Sequence, residues 1–294
     1  MRFVAIRVRY YTDPACPWSW SAEPSVRRLM VEFGDDLEWS YVMGGLARDY
    51  AGAGDDSDLH WAATEIHPRL MAHWLDVAES GRMPIDPRLW SEAPISSTYP
   101  ACIAVKAAAE QCDDGGCAYL RAVREGLMCF RRKLDTPQML TEEARALGLD
   151  VSRFRSGLSS SATIEAFGAD LDAVRAVPEA AREQGGVKEV AGVERLALPS
   201  IEFFAKNGGV HDVYGYKPYD AYALAAAAAG AQPSGAPRPG AREAIERFGR
   251  MGLPEIEAVC GLPGPVASAE LWKLVVEWQA RPLRVLTDHL WERV

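Results

Sequence analysis

The segment Cys-Pro-Trp-Ser, residues 16–19, lies where a predicted strand meets a predicted helix. Residues 3–11 are rich in β-branched and aromatic side chains, which is typical of a buried strand. Residues 20–33 place apolar side chains at helical spacing. Cys16 would precede the first residue of that helix, and Ser19 stands where a Cys-x-x-Cys pair has its second thiol. The pattern therefore predicts a helix N-terminus that carries one thiol instead of two.

The segments that follow predict a mixed α/β fold. Pro24 is expected to kink the first helix near its first turn. Residues 37–43 alternate as a strand and complete a right-handed β-α-β unit. Residues from about 60 to 190 have helical periodicity throughout. Strand character returns at residues 196–204, and the following Asn-Gly-Gly predicts a hairpin turn into a strand at residues 210–214.

Composition and charge exclude several classes of protein. The 294 residues carry a net charge of −9, which argues against a general nucleic-acid binder because such proteins present a basic face. No uninterrupted apolar run approaches the roughly 20 residues that span a bilayer. Charged residues interrupt the N-terminal segment, so we expect no signal peptide, no membrane association and a location in the reducing cytoplasm.

The six cysteines do not indicate a disulfide framework in a chain of this length. Cys112 and Cys117 bracket Asp-Asp-Gly-Gly, and they could either close a small loop or remain free thiols. No two cysteines form a Cys-x-x-Cys pair and none lies beside a spaced histidine pair, so we predict no metal site. We interpret His60, His67 and His73 as surface or packing residues, because no carboxylate or thiol spacing accompanies them.

The C-terminal part of the chain follows a linker. Residues 230–240 are rich in glycine, proline and alanine, and we place a domain boundary there. The segments after it read as two helices and a small ribbon, at residues 254–259, 266–278, 283–286 and 289–291. This order predicts a winged-helix-like unit over residues 241–294. Its seven basic and eight acidic residues give no electrostatic footprint for DNA, so we expect it to contact protein.

The order of these elements resembles the DsbA-like branch of the thioredoxin superfamily over residues 1 to about 230. The resemblance depends most on Cys16-Pro-Trp and Leu198-Pro199, because in the superfamily a cis-proline at the latter place faces the thiol. It implies an α/β thioredoxin fold with a large helical insertion and a small C-terminal winged-helix-like unit. The corresponding domains are thioredoxin-like at 1–58 and 190–230, the helical insertion at 59–189, a linker at 231–240 and the C-terminal unit at 241–294.

Within this branch, the segment from Ser97 to Ala108, the insertion helices and the C-terminal unit are most similar to cytoplasmic members. These include FrnE-like oxidoreductases and YjbH/SpxH-type proteins, which serve as adaptors to the ClpXP protease. Ser19 departs from the dithiol pattern of the redox-active members.

A single thiol at this position has a defined chemistry. Free amide donors and the helix dipole favour the thiolate, and such a placement typically lowers a cysteine pKa from about 8.5 to between roughly 3.5 and 7.5. We predict Cys16 as the catalytic nucleophile and Ser19 as a hydroxyl donor to its sulfur. Attack on a disulfide would give a mixed disulfide that a second thiol must resolve. That thiol would be glutathione or another low-molecular-weight thiol, another protein, or Cys102, for which the favoured alternative is a small buried core residue.

Four residues are predicted to bind substrate beside the thiol: Pro17, Trp18, Leu198 and Pro199. A cis bond before Pro199 would leave the Leu198 backbone free to pair with an extended chain. The alternative is an ordinary proline at the start of a strand.

Three functions are compatible with the sequence. The first is a cytoplasmic monothiol thiol–disulfide oxidoreductase, with no bound cofactor, acting on a protein or small-molecule disulfide. The second is a non-catalytic adaptor of the YjbH/SpxH type that binds a partner through its C-terminal unit and delivers it to a protease. The third is a kappa-type glutathione-dependent transferase or isomerase. The sequence favours the first narrowly over the second, and whether the chain is an enzyme stays open.

Overall fold

The computed structural model describes residues 5–50, 65–190 and 192–294, so residues 3–4 of the predicted first strand and His60 lie outside the described residues. Strand β1 (Ile6–Thr12) leads into the short helix α1 (Pro17–Ser21). Helix α2 (Glu23–Glu32) follows after a break, because Pro24 has no N–H with which to continue α1. The predicted kink is therefore confirmed. A 3-10 turn leads to β2 (Leu37–Met43), which pairs with β1 in parallel.

Helices dominate the following region, as predicted. Several begin with a side-chain cap; the hydroxyl of Thr136, for example, accepts a hydrogen bond from the Met139 N–H. The helices are α3 (Ile66–Gly81), α4 (Leu89–Glu92), α5 (Tyr99–Ala109), α6 (Cys117–Met128), α7 (Pro137–Ala146), α8 (Val151–Leu158), α9 (Ser161–Arg175) and α10 (Glu179–Glu183).

The chain then forms a two-stranded antiparallel ribbon of β3 (Val187–Val190) and β4 (Val193–Leu196). The prediction that residues up to about 190 are helical is therefore wrong at β3. Four residues are too few for a period to be visible, and pairing with β4 stabilises them as a strand. The single strand predicted over residues 196–204 is likewise interrupted by Pro199, which has no N–H for the ladder, and resumes as β5 (Ser200–Phe204).

A four-stranded mixed sheet organises the first 230 residues. Strand β6 (Val210–Tyr214) pairs with β5 in antiparallel fashion, and helix α11 (Tyr219–Ala228) follows it. The strand order is β2-β1-β5-β6, with β1 parallel to β2 and antiparallel to β5. This order brings the loop after β1 next to the loop before β5. Cys16, in the first loop, therefore lies beside Pro199, at the end of the second.

The C-terminal unit has the helix–strand–helix–helix–strand–strand order of a winged helix. Its first helix was not predicted from the sequence. The three strands form a sheet in the order β7-β9-β8. The elements are α12 (Ala241–Phe248), β7 (Met251–Gly252), α13 (Leu253–Cys260), α14 (Gly264–Val276), β8 (Ala280–Arg284) and β9 (His289–Arg293). The predicted domain boundaries stay predictions.

Large aromatic side chains form much of the main core. Trp20, Trp74 and Trp90 are fully buried, and Trp20 Nε1 donates to the Pro84 carbonyl oxygen at 2.9 Å. Each such side chain contributes about 1.5–3 kcal/mol or more through burial. No helix among the described residues is long and apolar enough to cross a bilayer.

Candidate functional site around Cys16

Cys16 precedes helix α1 directly and caps its N-terminus. Its backbone is extended, with φ −81° and ψ 112°, and its Sγ accepts a hydrogen bond from the Ser19 N–H at 3.3 Å. The N–H groups in the first turn of a helix have no partner within the helix, so the sulfur satisfies one of them. The structure thus places the thiol at the helix N-terminus, where the sequence located it.

The Leu198–Pro199 peptide bond is cis and lies beside Cys16. The Cys16 thiol donates to the Leu198 carbonyl oxygen at 3.7 Å, a separation within reach of sulfur. Leu198 packs on Gly44, where an added Cβ would overlap its methyl groups. The structure therefore brings Cys16, Leu198 and Pro199 together across two distant parts of the sequence.

Aromatic rings lie next to the same turn. Trp18 is half-buried, and its ring centroid is 5.2 Å from that of Tyr216 and 6.4 Å from that of His73. Pro17 is buried. Sequence reasoning missed Tyr216, because it lies two residues after β6 and no local pattern links it to Trp18. The four predicted substrate-binding residues thus lie in one region with Tyr216 and His73 beside them.

Comparisons with known proteins identify the family and the fold. A family model described as thioredoxin matches residues 10–177. The chain belongs to this thioredoxin family. The predicted DsbA-like thioredoxin fold is confirmed by this match and by solved structures. One from Nitrosomonas europaea has a TM-score of 0.59 at 17% identity, covering 76% of this chain and 97% of that one. The cytosolic disulfide reductase DsbM from Pseudomonas aeruginosa has a TM-score of 0.52 at 19% identity, covering 70% and 88%.

Curated relatives that match along almost the whole length of the chain are ClpXP adapter proteins. The ClpXP adapter protein SpxH of Halalkalibacterium halodurans is 26% identical over 298 aligned residues, which cover 97% of this chain and 88% of that protein. The SpxH protein of Bacillus subtilis is 25% identical over 56% of this chain. The first match extends beyond the thioredoxin fold, because 97% of the chain cannot be covered without much of the C-terminal unit.

The thiol of this thioredoxin-family chain is covered by its surroundings. Cys16 is 3% exposed. Burial raises the pKa of the Cys16 thiol above its ordinary value; Ser19 opposes that shift, Asp13 adds to it and Arg124 opposes it. The prediction of a lowered pKa is therefore wrong for this structure, because the cost of removing a thiolate from water exceeds the stabilisation at the helix N-terminus.

Ser19 acts on the sulfur through both its side chain and its backbone. Its N–H donates to Cys16 Sγ, whereas its hydroxyl is fully buried and makes no hydrogen bond of regular geometry with any described residue. The hydroxyl is still close enough to favour the thiolate. Both parts of Ser19 lower the Cys16 pKa, the side chain more than the backbone, although burial outweighs them.

Asp13 fastens the loop that carries Cys16. Its buried carboxylate accepts hydrogen bonds from the Ala15 N–H at 2.8 Å and from the Leu46 N–H at 2.9 Å. The Cys102 thiol also donates to it, at 3.3 Å, and burial raises the pKa of Cys102 well above the ordinary range. Cys102 is thus a fully buried core residue bonded to Asp13, and no described contact joins it to Cys16. Its role as a resolving thiol remains without support from this geometry.

The other thiols and the histidines form no further site among the residues that the structure describes. All six cysteines are unpaired, and Cys117 lies beside the Tyr41 hydroxyl. No group of three or more metal-ligating side chains occurs within the described ranges. His67 packs against Trp90, with ring centroids 6.0 Å apart.

A buried ion-pair cluster lies behind the Cys16 turn, and sequence reasoning missed it. We call it the arginine cluster; it consists of Glu23, Arg27, Arg121, Arg124, Glu125 and Glu255. Arg124 binds both Glu23 and the Thr12 hydroxyl at the end of β1. The guanidinium of Arg121 lies 4.2 Å from the centroid of the Trp20 ring in helix α1. The cluster therefore supports the helix that the thiol caps.

Glu255 inserts into this cluster from the C-terminal unit. Its two carboxylate oxygens accept from Arg121 at 2.9 and 3.0 Å, and Arg27 Nε lies 2.9 Å from one of them. The same carboxylate accepts from the Gly252 N–H at 2.7 Å and so caps helix α13. The C-terminal unit is therefore fixed to α2 and α6 by charge pairs that are removed from water. Nothing in the local sequence distinguishes Glu255 from an exposed glutamate.

Proposed function

We propose that this chain is a cytoplasmic adaptor that binds a protein partner and presents it to the ClpXP protease. The observation that carries the proposal is the similarity to a ClpXP adapter protein over 97% of the chain. A match limited to the thioredoxin fold would support only the assignment of the fold and not the adaptor function. The match includes residues of the C-terminal unit, which the sequence analysis associates with protein contact.

The geometry of Cys16 supports binding more than catalysis. The thiol is buried, its pKa is raised and Ser19 cannot resolve a mixed disulfide.

The most exposed large apolar side chains lie on the C-terminal unit, which supports docking there. Trp278 is 84% exposed and Val276 is 78% exposed. Trp278 follows α14 with φ +57°, a left-handed conformation that bulky residues rarely adopt. Exposed aromatic side chains of this kind are frequent anchors of protein interfaces. Trp278 thus combines an unfavourable backbone conformation with exposure to water, and contact with a protein partner would account for a tryptophan at this position.

The variant Trp278→Gly tests the adaptor. Glycine accepts the positive φ without a steric penalty, so we expect the free energy of unfolding to stay equal or to rise by about 1 kcal/mol. The anchor is lost, so we expect at least about a tenfold weaker stimulation of degradation. The substrate is a protein that accumulates in the host when the gene is deleted, and its degradation by purified ClpXP is followed with and without the chain.

Two matched variants accompany this measurement. Leu224→Ala removes a comparably exposed apolar side chain from α11, and Cys16→Ala removes the thiol. Both are expected to stimulate degradation as the unmodified chain does. Loss of stimulation in Cys16→Ala would assign the effect to the thiol instead, and an absence of stimulation by the unmodified chain would exclude the adaptor.

A monothiol oxidoreductase is the second candidate, because the Ser19 N–H bonds Cys16 Sγ and a cis-proline lies beside it. The Cys16 thiolate would attack a disulfide, form a mixed disulfide and release one thiolate. Glutathione or another low-molecular-weight thiol would then resolve it. No described contact favours the kappa-type alternative, since the Ser19 hydroxyl is buried.

The rate of alkylation of Cys16 discriminates between the two candidates. Because its pKa is raised, the thiol is protonated at pH 7, and we expect iodoacetamide to modify it more slowly than a free cysteine. The rate should rise with pH up to and beyond the ordinary pKa. Peptide mass spectrometry of the native chain reads the rates, and the half-buried Cys112 provides a comparison within the same molecule. Fast modification of Cys16 at pH 6–7 would favour the oxidoreductase.

A further inference from the structure

Helix α14 of the C-terminal unit carries apolar side chains on two opposite sides. On the inner side, Ala267, Leu271 and Leu274 are buried in the core that α14 shares with α12, α13 and β8. A second apolar set is spaced at i, i+4, i+7 and i+11, which places it on one face of the helix. We call this set the outer stripe; it consists of Pro265, Ala269, Trp272 and Val276. All of its residues are exposed, so α14 presents an apolar face to solvent.

The C-terminal half of the outer stripe is bulky, and its tryptophan is held in place. Trp272 is 48% exposed and packs edge to face on Trp291 of β9, with ring centroids 5.0 Å apart. Val276, one turn later, is 78% exposed. A tryptophan that is already ordered loses little side-chain freedom on binding, which favours its use in an interface. The N-terminal half of the stripe contains only the smaller side chains of Pro265 and Ala269.

The anchor of the adaptor function proposed above lies outside this stripe. Trp278 follows the helix and lines a small cavity together with Leu274 of the inner side and Ile245 of α12. Val276, by contrast, belongs to the outer stripe. The stripe is therefore a second interface on the same unit, and it requires an occupant of its own.

The spacing of the outer stripe makes it complementary to itself in antiparallel orientation. The intervals between its residues are four, three and four, the spacing of contact positions in paired helices. A two-fold axis between residues 270 and 271, at the middle of α14 (Gly264–Val276), exchanges the two halves of the stripe. Trp272 would then lie against Ala269 of a second copy, and Val276 against Pro265.

This antiparallel pairing places a large side chain against a small one at every contact. Close packing of two helices requires such an alternation, because facing side chains must together fill the space between them. A parallel pairing would instead place Trp272 against Trp272 and Ala269 against Ala269, which combines overlap at one contact with a void at the next. The size pattern therefore favours a second copy in antiparallel orientation.

Charge also favours a second copy at this face. The whole chain carries a net charge of −9, which makes two copies repel each other. Residues 241–294 contribute only −1 of it, with seven basic and eight acidic residues. The outer stripe itself is uncharged, and the two charged residues of α14, Glu270 and Lys273, have opposite signs. Two copies therefore meet with little repulsion through the C-terminal unit.

We infer that two copies of this chain associate through the outer stripes of their α14 helices, packed antiparallel about a two-fold axis. Each copy contributes the same surface, as in most symmetric dimers. The contact extends along one helix of 13 residues, so it is smaller than a standard stable interface. We therefore expect a dissociation constant in the micromolar range.

Sedimentation equilibrium of the full-length chain over about 1–200 μM tests the dimer. We expect the mean mass to rise with concentration from that of one chain toward that of two. Trp272→Ala removes the largest side chain from the contact, so it should weaken the dimer at least about tenfold. Val276→Asp should weaken it by at least as much, because association would bury a carboxylate without a partner.

Exchanging the large and small residues tests the antiparallel register. Ala269→Trp alone places two tryptophans at one contact, where they do not both fit, so it should weaken the dimer at least about tenfold. The double variant that combines Ala269→Trp with Trp272→Ala again has one large and one small side chain at that contact. It should regain the affinity of the unmodified chain to within about threefold.

Matched variants and three contrary results complete the test. Leu224→Ala and Ile164→Ala remove exposed apolar side chains from other helices and should leave the dimer unchanged. Circular dichroism verifies the fold of each variant, and Val276→Asp serves if Trp272→Ala is unfolded. A chain that stays monomeric over the whole range would leave the stripe to a different protein and overturn the inference. A dimer that neither stripe variant weakens would place the contact elsewhere, and a double variant no tighter than Trp272→Ala would overturn the antiparallel pairing.

Discussion

Replacing Glu255 with alanine lowers the free energy of unfolding by about 3–5 kcal/mol, because it leaves buried guanidinium groups without their carboxylate. Glu255 is fully buried and pairs with Arg121 and Arg27, which are also buried. Urea denaturation followed by far-ultraviolet circular dichroism measures the change. The effect combines the ion pairs with the cap of helix α13, since the same carboxylate accepts from the Gly252 N–H.

Two further variants separate these contributions. Glu255→Gln removes the charge but keeps an oxygen that can accept from the Gly252 N–H. The loss of stability measured in this variant therefore belongs to the ion pairs and not to the cap. Glu246→Ala breaks an exposed pair with Arg242 and is expected to lower the stability by no more than about 1 kcal/mol. If Glu255→Ala were no more damaging than Glu246→Ala, the C-terminal unit would not be held by this cluster.

The cluster also changes how a truncation must be interpreted. Deleting residues 241–294 would expose Arg121 and Arg27 and remove Glu255 together with any docking surface. A loss of function in the truncated chain would therefore follow from instability as readily as from a lost interface. This is why Trp278→Gly, which leaves the cluster intact, is the more informative change.

The variant Ser19→Cys is expected to gain dithiol chemistry that the unmodified chain lacks. The Ser19 N–H is 3.3 Å from Cys16 Sγ, so a thiol at this position would lie within bonding reach after a small rotation. The buried Ser19 hydroxyl has no regular hydrogen bond to lose. With glutathione disulfide, Cys16 would form a mixed disulfide and release one glutathione, and the introduced thiol would displace the second. The chain would be oxidised and one glutathione disulfide reduced to two glutathiones.

Mass spectrometry detects the mixed and internal disulfides, and an assay of released glutathione measures the reduction of glutathione disulfide. We expect the mixed disulfide to be lost at least about a hundredfold faster in Ser19→Cys, because resolution becomes intramolecular. Ser21→Cys places a thiol in the same helix without the contact to Cys16, and it should behave like the unmodified chain. If Ser19→Cys formed no internal disulfide, the two side chains would not share the geometry described above.

Much of the fold could be read from local patterns. The bounds of β2 and β6 agree with the predicted strands at residues 37–43 and 210–214, because alternating side chains and a hairpin signal act within a few residues. The capping role of Cys16 and the cis bond before Pro199 were also expected. Predictions failed where the local pattern was short, as for β3, or interrupted, as at the proline between β4 and β5.

The chemistry of the site depended on long-range contacts. The pKa of Cys16 is raised because strands and loops far away in the sequence cover it. The spacing of residues along the chain does not indicate how far solvent can reach the thiol. Cys102 bonds to Asp13, 89 positions away, and so belongs to the core. The local order of residues thus specified a thiol at a helix N-terminus beside a proline. Its burial and the insertion of Glu255 behind it arise from packing between distant segments, because desolvation and ion pairing depend on neighbours in space.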